Sequence, residues 1–186
     1  MRIETSRLVL RPMRESDLED LYEYHSDPDT VRYINWPVRT KGQVMEALGK
    51  YSLVPDFSKD GDSALLGWEL KETGKIIGQC SFTFESIHNQ NGMVGYVMNP
   101  KFAGKGFAFE AVSALIAHVF KTFEVSRIVA TIDPRNDKSI ALITRLGFIH
   151  ERTLVQNELI KDEWVDTAHY VIVRSEFEKA RKQREG

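Results

Sequence analysis

The segment from residue 93 to residue 132 constrains the fold of this chain more than any other part of the sequence. Residues 93–98 have the apolar pattern of a short strand, and Arg127–Ile132 is a short β-branched strand. Between them lies a helical pattern with an apolar stripe at three- and four-residue steps, formed by Phe109, Val112, Ile116, Val119 and Phe123. A strand–helix–strand connection crosses over the sheet, so we expect the two strands to be parallel neighbours in a mixed sheet.

The remaining segments add strands joined by short turns and three further helical patterns. Asp27-Pro28-Asp29 should break the first helix, Thr40 should cap the second, and Asn136 should cap a later helix that Gly147 ends. The strands are predicted at residues 3–13, 64–71, 76–84, 93–98, 127–132, 148–155 and 165–173.

This order of elements predicts an α+β (α/β) fold with one mixed, mostly antiparallel, twisted sheet of about seven strands flanked by helices. A length of 186 residues suits one domain with its own core. We expect that domain to cover residues 1–175. Residues 176–186 form a charged tail, which is typical of a solvated helix or a frayed end.

Composition narrows the classes of function. The chain has 25 basic and 27 acidic residues. It therefore lacks the excess of basic residues that is typical of a nucleic-acid-binding protein, and we expect no direct nucleic-acid partner. Its one cysteine cannot form an internal disulfide, which fits a reducing compartment. No apolar run is long enough for a membrane span, and the N-terminus lacks the apolar stretch of a signal peptide. We therefore expect a soluble cytoplasmic protein with no membrane partner.

The loop Gly104-Lys105-Gly106 carries the clearest chemical signal, because it joins a strand to the start of a long helix. Glycines allow the backbone to approach a bulky anion, and free amides at a helix N-terminus point toward it. The loop is neither a Walker loop nor a dinucleotide fingerprint, which makes a nucleotide-binding enzyme a poor alternative. Taken alone, the glycines fit a pyrophosphate site and a plain strand-to-helix turn equally well.

The segment from Ala103 to Ala108 resembles the acyl-CoA pyrophosphate motif of the GNAT N-acetyltransferase superfamily, Gln/Arg-x-x-Gly-x-Gly/Ala. Ala103 departs from the pattern, which removes one polar anchor but leaves the backbone amides. The opening TSRLVLRP and the motifs Asp-Pro-Asp, Val-Gly-Tyr, Gly-Lys-Gly-Phe-Ala-x-Glu-Ala, Asn-x-x-Ser, Gly-Phe and Asp-x-x-x-Tyr are similar to the branch of ribosomal-protein N-terminal acetyltransferases, in the same order along nearly the whole chain.

The resemblance implies a transferase that moves an acetyl group from acetyl-CoA to an amine. It implies that the sheet splays at residues 96–98, where free backbone meets the cosubstrate, with Met98 as the expected backbone contact. The matching Asn136 would touch the pantetheine arm, although Asn136 also suits a plain helix cap. The implied residues for acetyl-CoA are Val97, Met98, Ala103, Gly104, Lys105, Gly106, Phe107, Ala108 and Asn136.

The resemblance also implies catalytic residues. Many GNAT enzymes have a tyrosine acid four residues after Ser139, and this sequence has Ile143 there. In the ribosomal-protein branch the serine lies near the sulfur, so Ser139 is the candidate donor; it could instead be a small packing residue. Glu158 matches the general base of that branch, the alternative being an exposed glutamate.

Arg32, Tyr33 and Trp36 lie between the two early helices, which wall the acceptor site in the family, and they could line that site or form a local core cluster. The sequence shows no metal-ligand spacing, so no metal is expected. The acceptor stays open between a protein N-terminus and a small amine such as a polyamine, an amino acid or an antibiotic. A non-catalytic acyl-CoA sensor is a further alternative, because both Ile143 and Ala103 depart from the family. Either a monomer or a homodimer is compatible with the pattern.

Overall fold

The computed structural model describes residues 1–185 and places one eight-stranded mixed sheet between helices. The strands are β1 (Ile3–Glu4), β2 (Leu8–Arg11), β3 (Ser63–Leu70), β4 (Ile76–Ser86), β5 (Asn91–Met98), β6 (Arg127–Ile132), β7 (Ile149–Ile160) and β8 (Glu163–Val173). The helices are α1 (Leu18–His25), α2 (Pro28–Val31), α3 (Lys41–Tyr51), α4 (Phe107–Thr122), α5 (Asp137–Leu146) and α6 (Arg174–Glu185). No helix in this range is both long and apolar enough to cross a bilayer.

The sheet has the order β1-β2-β3-β4-β5-β6-β8-β7, and β5 with β6 is its parallel pair. The predicted crossover is therefore confirmed. There are eight strands rather than about seven because a turn at residues 5–7 divides the predicted first strand into β1 and β2, which pair with each other. The last hairpin is also longer than predicted, since β7 continues to Ile160.

The parallel pairing of β5 with β6 extends over only the first residues of the two strands. Its register runs from Asn91 opposite Arg127 to Met93 opposite Val129, and no further. Beyond that point β6 continues to pair with β8, up to Ile132 opposite Ala168. The second half of β5 therefore faces an opening in the middle of the sheet.

Apolar clusters cover both faces of the sheet. The stripe of α4 packs on one face, where Val112, Ile116 and Val119 are almost fully buried. On the other face α1 and α3 contribute Leu21, Val44 and Leu48 to a second cluster. Because helices hold both sides, the position of the opening is fixed by the core rather than by loops.

The C-terminal helix is attached to this core at its first turns. The Arg174 guanidinium donates hydrogen bonds to the backbone carbonyls of Phe120, in the last turn of α4, and of Phe123 and Val125, just after that helix. Phe177 is only 4% exposed and its ring centroid lies 5.6 Å from that of Phe120. The segment that follows residue 175 thus supplies one aromatic side chain to the core, which its charged composition did not indicate.

Candidate active site

The opening between β5 and β6 is the mouth of a cavity of about 650 Å³. Its walls come from β4, β5, β6 and the β7–β8 hairpin, and from the segment that follows α2. The predicted residues that line it are Tyr33, Trp36, Val97, Ser139 and Glu158. Arg32, Met98, Asn136 and residues 103–108 lie outside this lining. Gly106 lines a second cavity together with Arg7 and Glu110.

The hydrogen-bond register of the sheet decides which backbone groups of β5 face the opening. The N–H of Asn99 donates to the carbonyl of Ile77 on β4, and antiparallel strands alternate between paired and unpaired positions. The backbone groups of Val97 therefore also face β4, whereas those of Tyr96 and Met98 point toward β6. Since β6 has already separated from β5, these groups are available to a ligand. Val97 contributes its side chain to the cavity wall.

Tyr96 and Ser139 form a hydroxyl pair inside the cavity. Tyr96 Oη lies 2.7 Å from Ser139 Oγ and 3.2 Å from the Ser139 carbonyl oxygen. Burial raises the pKa of Tyr96 to about 12, so the phenol keeps its proton at neutral pH. Sequence reasoning missed this tyrosine side chain, because a strand residue shows which face it occupies only once its register is known.

The first turn of α5 fixes Ser139. The Asn136 side chain accepts a hydrogen bond of 3.1 Å from the Ser139 N–H, which is the predicted N-cap. Four residues later Ile143 is fully buried in the core. An aliphatic core side chain therefore occupies the position where many GNAT enzymes carry a tyrosine that acts as general acid. The hydroxyl beside Ser139 comes from β5 instead of α5.

Glu158 reaches the cavity from the edge strand β7. The pairing of β7 with β8 is irregular between Leu154 and Glu158, where Gln156 has a positive φ of 45° and donates its N–H to Asp166 Oδ1 at 2.8 Å. After this irregularity Glu158 lies opposite Val165, and the Thr167 hydroxyl donates to its carboxylate at 3.4 Å. Its side chain is exposed as well as cavity-lining, so water can reach the carboxylate.

The loop Gly104-Lys105-Gly106 has a geometry that fits a phosphate group. Gly104 and Gly106 have φ values of 78° and 80°, a conformation that L side chains rarely adopt. Gly106 is the N-cap of α4, and no side chain caps that end, so the first amides of a 16-residue helix are left to a ligand. Ala103 and Lys105 are exposed beside it, and Phe107 is buried.

A second cluster holds this loop in place. Glu110, in the first turn of α4, accepts hydrogen bonds from Thr5 Oγ1 at 2.6 Å, Ser6 Oγ at 3.0 Å, the Arg7 N–H at 2.9 Å and Arg7 Nε at 2.6 Å. Arg7 Nη1 also donates to the Lys105 carbonyl at 2.9 Å. The motifs Thr-Ser-Arg and Gly-Lys-Gly-Phe-Ala-x-Glu occur together in this sequence, and that co-occurrence is the signal from which the role of Glu110 could be predicted.

The tip of the β7–β8 hairpin contacts the end of α2, next to the residues predicted to line the acceptor site. Lys161 Nζ donates to the Val31 carbonyl at 2.5 Å and lies 3.4 Å from the Arg32 carbonyl, so the β7–β8 hairpin closes one side of the cavity. The Arg32 guanidinium lies 5.3 Å from the centroid of the Tyr33 ring. Tyr33 lines the cavity and Arg32 supports it from outside.

Cys80 also lines the cavity, but it is 1% exposed and burial raises the pKa of its thiol to about 12. It therefore behaves as a small buried side chain and not as an acyl-carrying nucleophile. Within residues 1–185 no group of three His, Cys, Asp or Glu side chains could hold a metal ion.

Comparison with known proteins agrees with this geometry. The model of the acetyltransferase (GNAT) domain matches residues 7–149. An uncharacterized N-acetyltransferase, p20 of Bacillus licheniformis, is 33% identical over 93% of this chain and 96% of its own length. The ribosomal protein uS5-alanine N-acetyltransferase of Escherichia coli is 28% identical over 89% of this chain and 87% of its own. A solved GNAT-family acetyltransferase from Bacillus anthracis superposes with a TM-score of 0.84, is 28% identical, and is matched over 95% of this chain and all of that one.

The chain belongs to the GNAT acetyltransferase family. It is an acetyl-CoA-dependent N-acetyltransferase, as the family and its named relatives show. Solved proteins of this fold hold coenzyme A or acetyl-CoA. The left-handed glycines, the uncapped start of α4 and the unpaired edge of β5 suit the same molecule here.

Proposed function

We propose that this enzyme acetylates the α-amino group of a protein N-terminus, with acetyl-CoA and the acceptor bound at the same time. One observation carries the proposal: Ser139 and Glu158 line a single cavity, at the point where the sheet opens. The acceptor class rests on the uS5-alanine acetyltransferase, which matches along most of both chains. Acetyl-CoA supplies the acetyl group as a thioester, and direct transfer needs no acyl-carrying side chain.

The chain's first task is to bind and orient the thioester. The amides at the start of α4 would hold the pyrophosphate, and Lys105 adds a positive charge beside them. The N–H groups of Met98 and Tyr96 face the opening and would donate to the acetyl carbonyl oxygen, where negative charge develops. Asn136 keeps α5 in register, which places Ser139 at the cavity wall.

Glu158 is proposed as the general base. An α-amino group has an ordinary pKa of about 7.7–8.0, so it is partly an ammonium at neutral pH and must lose a proton before it attacks. The Glu158 carboxylate is open to water and lines the cavity, so it can accept that proton directly or through one water molecule.

Ser139 and Tyr96 are proposed to stabilise the departing sulfur. Their hydroxyls are 2.7 Å apart, so one can donate to the other while the second donates into the cavity. The pair would thereby supply a hydrogen-bond donor near the sulfur, in an enzyme where Ile143 occupies the position of the tyrosine acid on α5.

The test measures thiol release from acetyl-CoA with three acceptors: a peptide with an N-terminal alanine, the same peptide blocked at its N-terminus but containing lysine, and spermidine. We expect turnover with the free α-amino group. Preference for spermidine or the blocked peptide would overturn the acceptor class and favour a small-amine or lysine acetyltransferase. Acetyl-CoA binding without release to any acceptor would favour the sensor function.

The residue assignments are tested with Ser139→Ala, Tyr96→Phe and Glu158→Gln. Each is expected to lower kcat by about tenfold to a thousandfold while the Kd for CoA stays within about twofold, because none of these side chains binds the pyrophosphate. Glu85→Gln is the matched control, since Glu85 is an exposed carboxylate outside the cavity lining. Wild-type turnover in all three variants would refute the assignments.

A further inference from the structure

A buried chain of polar side chains leads from Arg39 to the cavity through His25 and Gln79. Arg39 Nη1 lies 3.2 Å from His25 Nδ1, and His25 Nε2 lies 3.0 Å from Gln79 Oε1. Tyr24 Oη donates to the same amide oxygen at 3.0 Å. His25 and Tyr24 are fully buried, and Gln79 is 2% exposed while lining the cavity.

The donor capacity of Arg39 determines the orientation of this chain. A guanidinium can only donate, so His25 Nδ1 must accept and its proton must lie on Nε2. His25 Nε2 then donates, so Gln79 must present its amide oxygen to it. Burial lowers the pKa of His25 to about 4, which keeps the ring neutral and this tautomer in place.

The amide nitrogen of Gln79 is left for the cavity. Both of its hydrogen bonds within residues 1–185 go to the amide oxygen, so the NH₂ group has no partner in that part of the chain. Trp36 lines the same cavity, and Arg39 Cζ lies 4.7 Å from the centroid of its ring. The indole N–H of Trp36 is also buried without an acceptor in the described range. This wall therefore offers two donors to a ligand, the Gln79 amide nitrogen and the Trp36 indole N–H.

Acidic side chains, which can accept hydrogen bonds and attract a cation, line another part of the cavity. The acidic residues Glu158, Asp133 and Asp166 contribute to its lining. Asp133 is already paired with Arg135, and Asp166 Oδ1 accepts the Gln156 N–H, which leaves the Glu158 carboxylate for a positive group. A ligand with a positive amine and a neighbouring carbonyl oxygen satisfies both walls, because the amine suits the Glu158 carboxylate and the oxygen suits the donors.

We propose that Gln79 donates a hydrogen bond from its amide NH₂ to a carbonyl oxygen next to the reacting amine, and so selects α-amino carbonyl compounds as acceptors over plain amines. This inference rests on the proposed function and refines its substrate class. A peptide N-terminus and a free amino acid share the recognised chemistry. Gln79 is a specificity residue, since it acts on binding and not on the proton transfers.

The experiment compares alaninamide with sec-butylamine, which has a similar shape without the carbonyl oxygen. In Gln79→Glu the oxygen toward His25 and Tyr24 is kept and the donor toward the cavity becomes an acceptor. We expect kcat/KM for alaninamide, relative to sec-butylamine, to fall about tenfold from wild type, as one lost hydrogen bond implies. Comparing each variant with wild type cancels the difference in amine basicity.

Two further variants keep the test informative. Gln79→Met removes the donor without adding charge and should lose the same preference, which guards against misfolding of the glutamate variant. Tyr24→Phe removes one partner of the amide oxygen but leaves His25 to orient it, so the preference for alaninamide should stay within about twofold of wild type. An equal loss in all three variants would indicate a packing effect and overturn the proposal.

Binding separates this inference from the proposed function. Calorimetric titration of alaninamide into the CoA-loaded protein should give saturable binding that weakens about tenfold in Gln79→Met, even if turnover is absent. Binding of alaninamide with no turnover of it or of the N-terminal-alanine peptide would refute the proposed function and keep the Gln79 site. Transfer to sec-butylamine with no preference for alaninamide would refute the site alone. A peptide with an N-terminal alanine and free alanine then decide the source: weaker binding of the peptide would point to amino acids.

Discussion

Replacing Glu110 by alanine is expected to loosen the turn before β2 and the glycine loop together. The carboxylate accepts four hydrogen bonds from Thr5, Ser6 and Arg7, and its side chain is 15% exposed. Without it, the Arg7 guanidinium loses the partner that aims it at the Lys105 carbonyl. The loop between the two left-handed glycines would then lose one of its anchors.

The size of the effect follows from what each donor can do instead. A hydrogen bond to a charged group contributes about 1.5–3 kcal/mol, but three of the four donors belong to side chains that can turn to water. Arg7 is about half exposed, and its ion pair is screened accordingly. We therefore expect Glu110→Ala to lower the free energy of unfolding by about 1–2 kcal/mol, with the backbone N–H of Arg7 as the main loss, because this donor cannot turn away as the side-chain donors can. Affinity for CoA should fall about threefold to tenfold, because the loop must be ordered on binding.

Urea unfolding and calorimetric titration with CoA measure the two effects, and Glu124→Ala is the control because Glu124 is an exposed glutamate just after the same helix. Burial alone would raise the pKa of Glu110, but hydrogen bonds from Thr5 and Arg7 outweigh it and hold the pKa below 4.5. A lowered folded-state pKa contributes stability above the unfolded value and loses it as pH falls through the folded value. The difference between wild type and Glu110→Ala should thus shrink below pH 4.5. Equal stabilities of the two variants at pH 7, or an unchanged Kd for CoA, would refute the reasoning.

Two further predictions concern single residues. Gly106→Ala should destabilise the chain by about 1–2 kcal/mol and weaken CoA binding, because φ is 80° at this residue. Gly49→Ala inside α3 is the control: the added methyl group meets open space and should be neutral or stabilising. Urea unfolding of the two variants measures these opposite changes in stability. The unfolded chain protonates His25 near pH 6.5, but the folded chain holds its pKa at about 4, so the free energy of unfolding should fall by about 2 kcal/mol from pH 7 to pH 5. In His25→Asn this loss should be absent, and an equal loss there would assign it to other groups.

Elements with strong local signals could be predicted from the sequence to the residue. β6 starts and ends as predicted, and α5 lies between the expected cap Asn136 and the expected stop Gly147, whose φ is 102°. Such signals act within a few residues and need no knowledge of the rest of the chain. The division of the first strand at residues 5–7 combines local hydrogen bonds between Thr5 and Leu8 with contacts to Glu110, which is more than 100 residues away.

The candidate site divides in the same way. The glycine loop carries its own conformational signal, and Ser139 and Glu158 were assigned through a resemblance. Tyr96 and Gln79 enter the cavity because of strand register and because β5 separates from β6, and neither property is written in local sequence. The role of Gln79 further requires His25 and Arg39, which approach it only after α1 packs on the sheet.

The pKa of Tyr96 limits what the hydroxyl pair can contribute to transfer. A thiol has an ordinary pKa near 8.5, so complete proton transfer from a phenol with a pKa of about 12 would be uphill by about 5 kcal/mol. A hydrogen bond from the pair to the departing sulfur carries no such cost, and it grows stronger as negative charge develops there. We therefore propose that Ser139 and Tyr96 donate a hydrogen bond to the sulfur during the transfer. The proton that completes the thiol would be one that the acceptor amine has lost to Glu158, delivered through water. This proposal would account for the reaction with Ile143 in place of a tyrosine acid.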